Sequence, residues 1–236
     1  MITSVAVVVS MLAPLVGYEP ALRELLPGIH VAEGVVQFEG TIAIDAHHPD
    51  TPDVYLEMLV TAPDSREHES LVVSKIRASN LHAALLAAGF DAGAPLTNDA
   101  DRNTVPAHGD PVIIQIAVQA DTLEFIPITN WVMNIDDETG IEQSERWGGL
   151  VFAGSKLTSR GYEADNAGTL ASLTSFGNEV IAPTWTVSHL AEIDEPVWIA
   201  NRDSIPKQHT PVVVRVVSDD SAESHEPKRI DVDRDP

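Results

Sequence analysis

Residues 66–90 read REHESLVVSKIRASNLHAALLAAGF: a charged cluster, a short apolar run and a helix pattern in direct succession. The run from Ser70 to Ile76 is rich in β-branched residues, which suit a buried strand. Beyond it the period changes. Leu81, Ala84, Leu85 and Ala88 fall at i, i+3, i+4 and i+7, Ser79 stands where a cap belongs, and Gly89 suits the position just past the end. This spacing predicts a helix over 79–88, the clearest in the chain.

Strand patterns dominate on either side. IHVAEGVVQFEGTIAI (29–44) alternates around Gly34 and Gly40, as strands joined by a tight turn do. Further strands are expected at 54–61, 112–119, 148–157, 179–183 and 210–217, and ITNWVMNI (128–135) reads as a short helix or a loop anchored by Trp131. About eight or nine strands therefore stand against one clear helix and one or two short ones, and they do not alternate regularly with helices. The expected fold is a strand-rich, single-domain α+β structure.

Composition narrows the chemistry. The net charge of −22 repels phosphate backbones and anionic membranes, so nucleic acid is not an expected partner. The chain has no cysteine, which excludes disulfides, thiol catalysis and cysteine-held clusters. The apolar run Val5 to Val16 has the length of a signal-peptide core and is too short for a comfortable membrane span, although no Lys or Arg precedes it. The division expected is an export segment over 1–24, a domain over 25–217 and a disordered acidic tail over 218–236, with a periplasmic or extracellular location and no membrane span in the mature chain.

The charged cluster offers several chemistries. His68-Glu69 could open a zinc-protease helix, but position 72, where a second histidine is needed, holds Val72. Ser70 and His68 on extended backbone share a face without meeting, and no G-x-S-x-G elbow exists. A polar network of Arg66, Glu67, His68, Glu69 and Ser70 at the mouth of a strand is the simpler reading. In the 91–111 loop, Asp99, Asp101 and Asn103 have the 1-3-5 spacing of a calcium loop, with Asp110 at position 12. Thr104 in place of glycine and Pro106 in place of an apolar residue argue against that loop. The four tryptophans read as packing residues, and no catalytic residue is assigned.

REHESLVV, ASNLHAALLAAGF, GDPVIIQI, Trp131, VFAGSK, YEAD and IPKQHTPVVVRV occur in that order, and the series resembles the YdjY-domain proteins, many of them exported proteins of planctomycetes and related bacteria. The likeness covers roughly residues 25–217. It implies an extracytoplasmic α+β domain more than an activity. The family name comes from a ferredoxin-like protein with cluster-binding cysteines, and without them no iron–sulfur cluster carries over to this chain. The resemblance draws His82, on the first turn of the helix, toward the cluster, where His68, Glu69 and His82 would make a nitrogen and oxygen set for a divalent metal. The leading expectation is an exported, non-enzymatic binding or structural domain with a protein or cell-envelope partner. The alternative is a divalent-metal-binding protein or metal-dependent hydrolase using His68, Glu69 and His82.

Overall fold

The computed structural model describes residues 21–50 and 53–219. Most of the expected export segment and residues 220–236 of the expected 218–236 tail lie outside these residues, and Ser218 belongs to the last strand, Pro211–Ser218. Eight strands carry the architecture: β1 (Val35–Ile42), β2 (Met58–Thr61), β3 (Ser70–Val73), β4 (Pro111–Val118), β5 (Leu150–Phe152), β6 (Thr169–Ser172), β7 (Ile181–Pro183) and β8 (Pro211–Ser218). Their hydrogen-bonded order is β1-β8-β4-β5-β7-β6-β2-β3, and β3 pairs back onto β1. The sheet is therefore a closed barrel. Neighbours run antiparallel except at two parallel seams, β2 with β3 and β6 with β7.

This corrects the α+β expectation. Among the described residues strand accounts for 37% and helix for 13%, and the strands form one closed barrel with two α-helices attached to it. The strand patterns at 29–44, 54–61, 70–76, 112–119, 148–157, 179–183 and 210–217 all yield strands, but a pattern of alternation carries no record of which strand pairs with which. Closure unites β1 and β3 and joins the eight strands into a ring, while the strand Arg23–Leu26, paired only with Ile29–Ala32, remains an edge of the sheet.

Alternation along β1, β4 and β8 explains how the interior fills. Phe38, Val214 and Ile116 stand side by side across the three strands, and Val36, Val216 and Ile114 form the next row. All six are buried. The intervening outward row is Gln37, Arg215 and Gln115. There the Arg215 guanidinium donates to Gln37 Oε1 and lies 3.8 Å from the centre of the Phe125 ring.

Closure is tightest at Gly40. β1 turns from pairing with the strand Ile29–Ala32 along its first half to pairing with β3 at Thr41 and Ile42. A Cβ on Gly40 would lie 2.5 Å from Val72 Cγ1 and 3.0 Å from the Val73 carbonyl oxygen, so only glycine lets the two strands approach this closely. The Ser74 hydroxyl donates to the Glu39 carbonyl at 2.6 Å and fastens the same corner.

Helix α1 spans Ala78–Ala87 and packs on the Ile29–Ala32 strand and on the short helix α2 (Glu163–Ala167). Leu81, Ala84, Leu85 and Ala88 are buried, as their spacing predicts. Gly89, at φ +99, closes the helix: its N–H donates to Leu86 O and the Phe90 N–H to Leu85 O, the paired bonds of a Schellman end. The start differs from expectation. Arg77 occupies the N-cap position, and Ser79 lies inside the first turn. The capping group comes from α2, where Asp165 accepts the Ser79 backbone N–H at 2.8 Å, its hydroxyl at 2.7 Å and the Arg77 guanidinium at 2.7 Å.

Two stability outcomes follow from this packing. Gly40→Ala should cost about 1–3 kcal/mol by overpacking the closure, read as a lower melting temperature; an unchanged melt would show that β1 and β3 have room to part. Asp165→Ala should cost about 1 kcal/mol by uncapping α1, read in a denaturant titration, and Asp165→Asn should recover part of the loss.

Candidate functional site

The barrel end at which β2 and β3 begin and β6 and β7 finish carries a cleft of about 360 Å³. Its position follows from the two parallel seams, which bring the starts of β2 and β3 and the ends of β6 and β7 to one rim. The ribbon of Val132–Asn134 and Trp198–Ala200 stands over that rim, joined to it by the Leu56 N–H bond to Trp198 O. The Trp185 ring stacks on Trp198 at 5.4 Å and meets the edge of Trp147 at 5.0 Å. Trp185 Nε1 is satisfied by the Leu173 carbonyl at 2.7 Å. Leu56, Val187 and Val197 complete an apolar wall.

Glu57 lies on the floor, one residue before β2. Its backbone bonds to both neighbours: its N–H donates to Glu69 O, and its carbonyl accepts the Leu173 N–H. Arg66 Nη1 donates to Glu57 Oε2 at 2.9 Å and to Glu69 Oε1 at 2.6 Å. One guanidinium thus serves two largely buried carboxyls. Burial, then the charge of Glu69, pushes the Glu57 carboxyl up to about 7; the pull of Arg66 offsets only part of that rise. The Arg66 guanidinium also lies 4.4 Å from the centre of the Phe176 ring, on which the His189 imidazole stacks at 4.7 Å. His189 lines the cleft as well.

Two residues that line the cleft carry a buried polar atom without a hydrogen-bond partner among the described residues. Thr174, 6% exposed, has a buried hydroxyl with no hydrogen-bond partner among the described residues, and His189 Nδ1 is likewise buried and unpartnered there. Both residues line the cleft. A buried polar atom left unpaired costs about 1–3 kcal/mol, so it is usually retained for a reason.

The sequence cluster divides across this geometry. Glu67 to Glu69 form a single 3₁₀ turn. Arg66 and Glu69 reach Glu57, while the Ser70 hydroxyl donates back to the Arg66 carbonyl at 2.7 Å and fixes the turn. Glu67 braces the preceding bend by accepting the N–H groups of Asp64 and Ser65. His68 points to solvent, 81% exposed, with Nε2 3.7 Å from Glu69. His82 is committed elsewhere. Its Nδ1 lies 2.8 Å from the Tyr162 hydroxyl and 3.1 Å from the Gly154 carbonyl, and its ring packs edge-on to Phe152. Burial holds the His82 imidazole below its ordinary pKa.

His68, Glu69 and His82 are not brought together. Among the described residues no group of three or more His, Asp and Glu side chains is placed to hold a metal ion. The candidate calcium residues have other duties. Asp99 accepts the N–H groups of Asp101 and Asn103 and the Asn103 side-chain amide, shaping the turn between the strands Thr97–Asn98 and Thr104–Val105. Asp110 accepts the Asp91 N–H at the base of the loop. The residues that sequence reading misses are Glu57, Thr174 and His189, together with the cleft role of Trp185 and Trp198. The one available signal was Glu57 itself, a lone acid inside the apolar run VYLEMLVT.

The Glu57 shift has a measurable sign. A carboxyl whose folded pKa is raised stabilises the fold below its unfolded value of 4.5 and loses that contribution as pH rises through about 7. Wild type should therefore lose on the order of 1–3 kcal/mol between pH 5 and 8 relative to Glu57→Gln. Denaturant titrations of the two proteins across that window check it, and parallel pH profiles would contradict it.

The family model of the YdjY domain matches residues 29–217, more than half of the chain, and the chain belongs to that family. No curated protein matches it, and no solved structure does. No helix among the described residues is long and apolar enough to cross a membrane.

Proposed function

We propose that this YdjY barrel is an extracytoplasmic binding domain that holds a small ligand in the cleft beneath Trp185 and Trp198, without turning it over. The observation that carries this reading is the Thr174 hydroxyl, buried and without a partner among the described residues, in the wall of an aromatic-lined cleft. An aromatic and aliphatic wall with a few convergent polar atoms is the usual make-up of a ligand site, and about 360 Å³ lies at the small end of the range of such sites. The apolar run at residues 5–16 supports export. The carboxyl pair supports binding rather than hydrolysis of a glycosidic bond. Glu57 and Glu69 share one guanidinium and a hydrogen bond, whereas glycosidase carboxyls stand about 5 Å or more apart, with the substrate between them.

The test exploits the unpaired hydroxyl. Thr174→Val keeps the shape of the side chain and removes the orphaned polar atom, so the free protein should gain about 1 kcal/mol while losing ligand response. Thermal shifts of wild type and variant against a fragment library of small amines, alcohols and acids measure both effects. Fragments should stabilise wild type and lose that effect in Thr174→Val. A variant that is destabilised, or responses that are the same in both proteins, would sink the binding reading.

A further inference from the structure

Resting on that binding reading, we infer that the cleft takes a small organic cation: a primary ammonium placed against Glu57 and Thr174, with an apolar tail along Trp185, Val187 and Val197. Charge favours a cation. Arg66 is shared by two carboxyls, so the floor carries one negative charge more than its cation balances when both are ionised. Asp194 and Glu195 add acid to the lining, and the one lining cation among the described residues, Arg146, donates to the Thr186 carbonyl. The raised pKa of Glu57 lets a proton meet the excess charge; an ammonium group would take that place.

Hydrogen bonding favours the same ligand, independently of the acidic residues. An ammonium has three donors and needs acceptors. Thr174 and His189 line the cleft, the Thr174 hydroxyl and His189 Nδ1 are buried and unpartnered among the described residues, and either can accept. The alternatives fit less well. A bare divalent ion needs a ligand set, and no three His, Asp and Glu side chains among the described residues supply one. A sugar needs an open aromatic face, but Trp185 and Trp198 are 6% and 7% exposed and stack on each other. An anion would meet the uncompensated carboxyls. The wall of Leu56, Val187 and Val197 asks for carbon, which an organic cation brings.

Three probes of matched shape separate these outcomes: phenethylammonium, 2-phenylethanol and phenylacetate, titrated calorimetrically into the whole protein at neutral pH. The cation should bind at least tenfold more tightly than either partner. Glu57→Gln should weaken the cation about tenfold and leave the alcohol unchanged. Glu195→Gln, on the exposed rim where folding is not at stake, should weaken the cation alone, by a smaller factor. If the alcohol or the acid binds as well as the amine and Thr174→Val weakens it, the cation assignment fails while the cleft remains a binding site. If none of the three binds, the binding reading falls and this inference with it.

Discussion

Where β1 meets β3, the backbone of Gly40 lies so close to Val72 and Val73 that no side chain fits between them. That contact turns a sheet into a barrel. β1 must leave the Ile29–Ala32 strand halfway along its length and take β3 as its partner, and the absence of a Cβ is what allows the exchange. Once β3 is fixed, its parallel pairing with β2 places Ser70 beside Met58, which puts the residues just before each strand, Glu69 and Glu57, at the same rim. The charged cluster ahead of β3 is thereby carried to the mouth of the barrel.

At that mouth the electrostatics are set by a mismatch of numbers. A single guanidinium bridges two carboxyls that are each about four-fifths buried. Coulomb attraction to one cation cannot offset both desolvation costs and the repulsion between the acids, so one carboxyl keeps a proton near neutrality. Ser70 and the 3₁₀ turn hold Arg66 in place, and Phe176 extends the same cluster to His189 across the rim. The strand-mouth network and the cleft are thus one structure, joined by Arg66 and Glu57. The same economy appears in α1, whose cap comes from Asp165, more than eighty residues later in the chain.

Much of the fold was legible because burial leaves a period. The 29–44 hairpin, the Val-rich β8 and the apolar face of α1 all follow from alternation or from 3.6-residue spacing. β6 was not legible: TLAS is short, with Leu170 its one large apolar residue, and its neighbours β2 and β7 hold it in the barrel. Closure was equally hidden, since it depends on a missing side chain at Gly40 meeting a strand more than thirty residues away. At the site, REHES announced a polar network and contained the residues that organise the floor. Their partner Glu57 sat inside an apparent strand, and Thr174 and His189 lie in segments with no pattern at all. His82 and His68 looked like neighbours because they are close in sequence, but α1 turns His82 toward Tyr162 and Gly154.

The charge state of the cleft floor is the claim on which the functional account stands, and carbon-13 NMR of the glutamate carboxyls reads it directly. With Glu57 assigned from the spectrum that Glu57→Gln lacks, its carboxyl signal should titrate near pH 7, well separated from Glu67, which its backbone donors hold below the ordinary range against the upward push of burial. A Glu57 signal that titrates with the exposed carboxylates of the surface would mean that burial and the charge of Glu69 do not hold a proton on the floor, and would contradict the electrostatic account of the cleft.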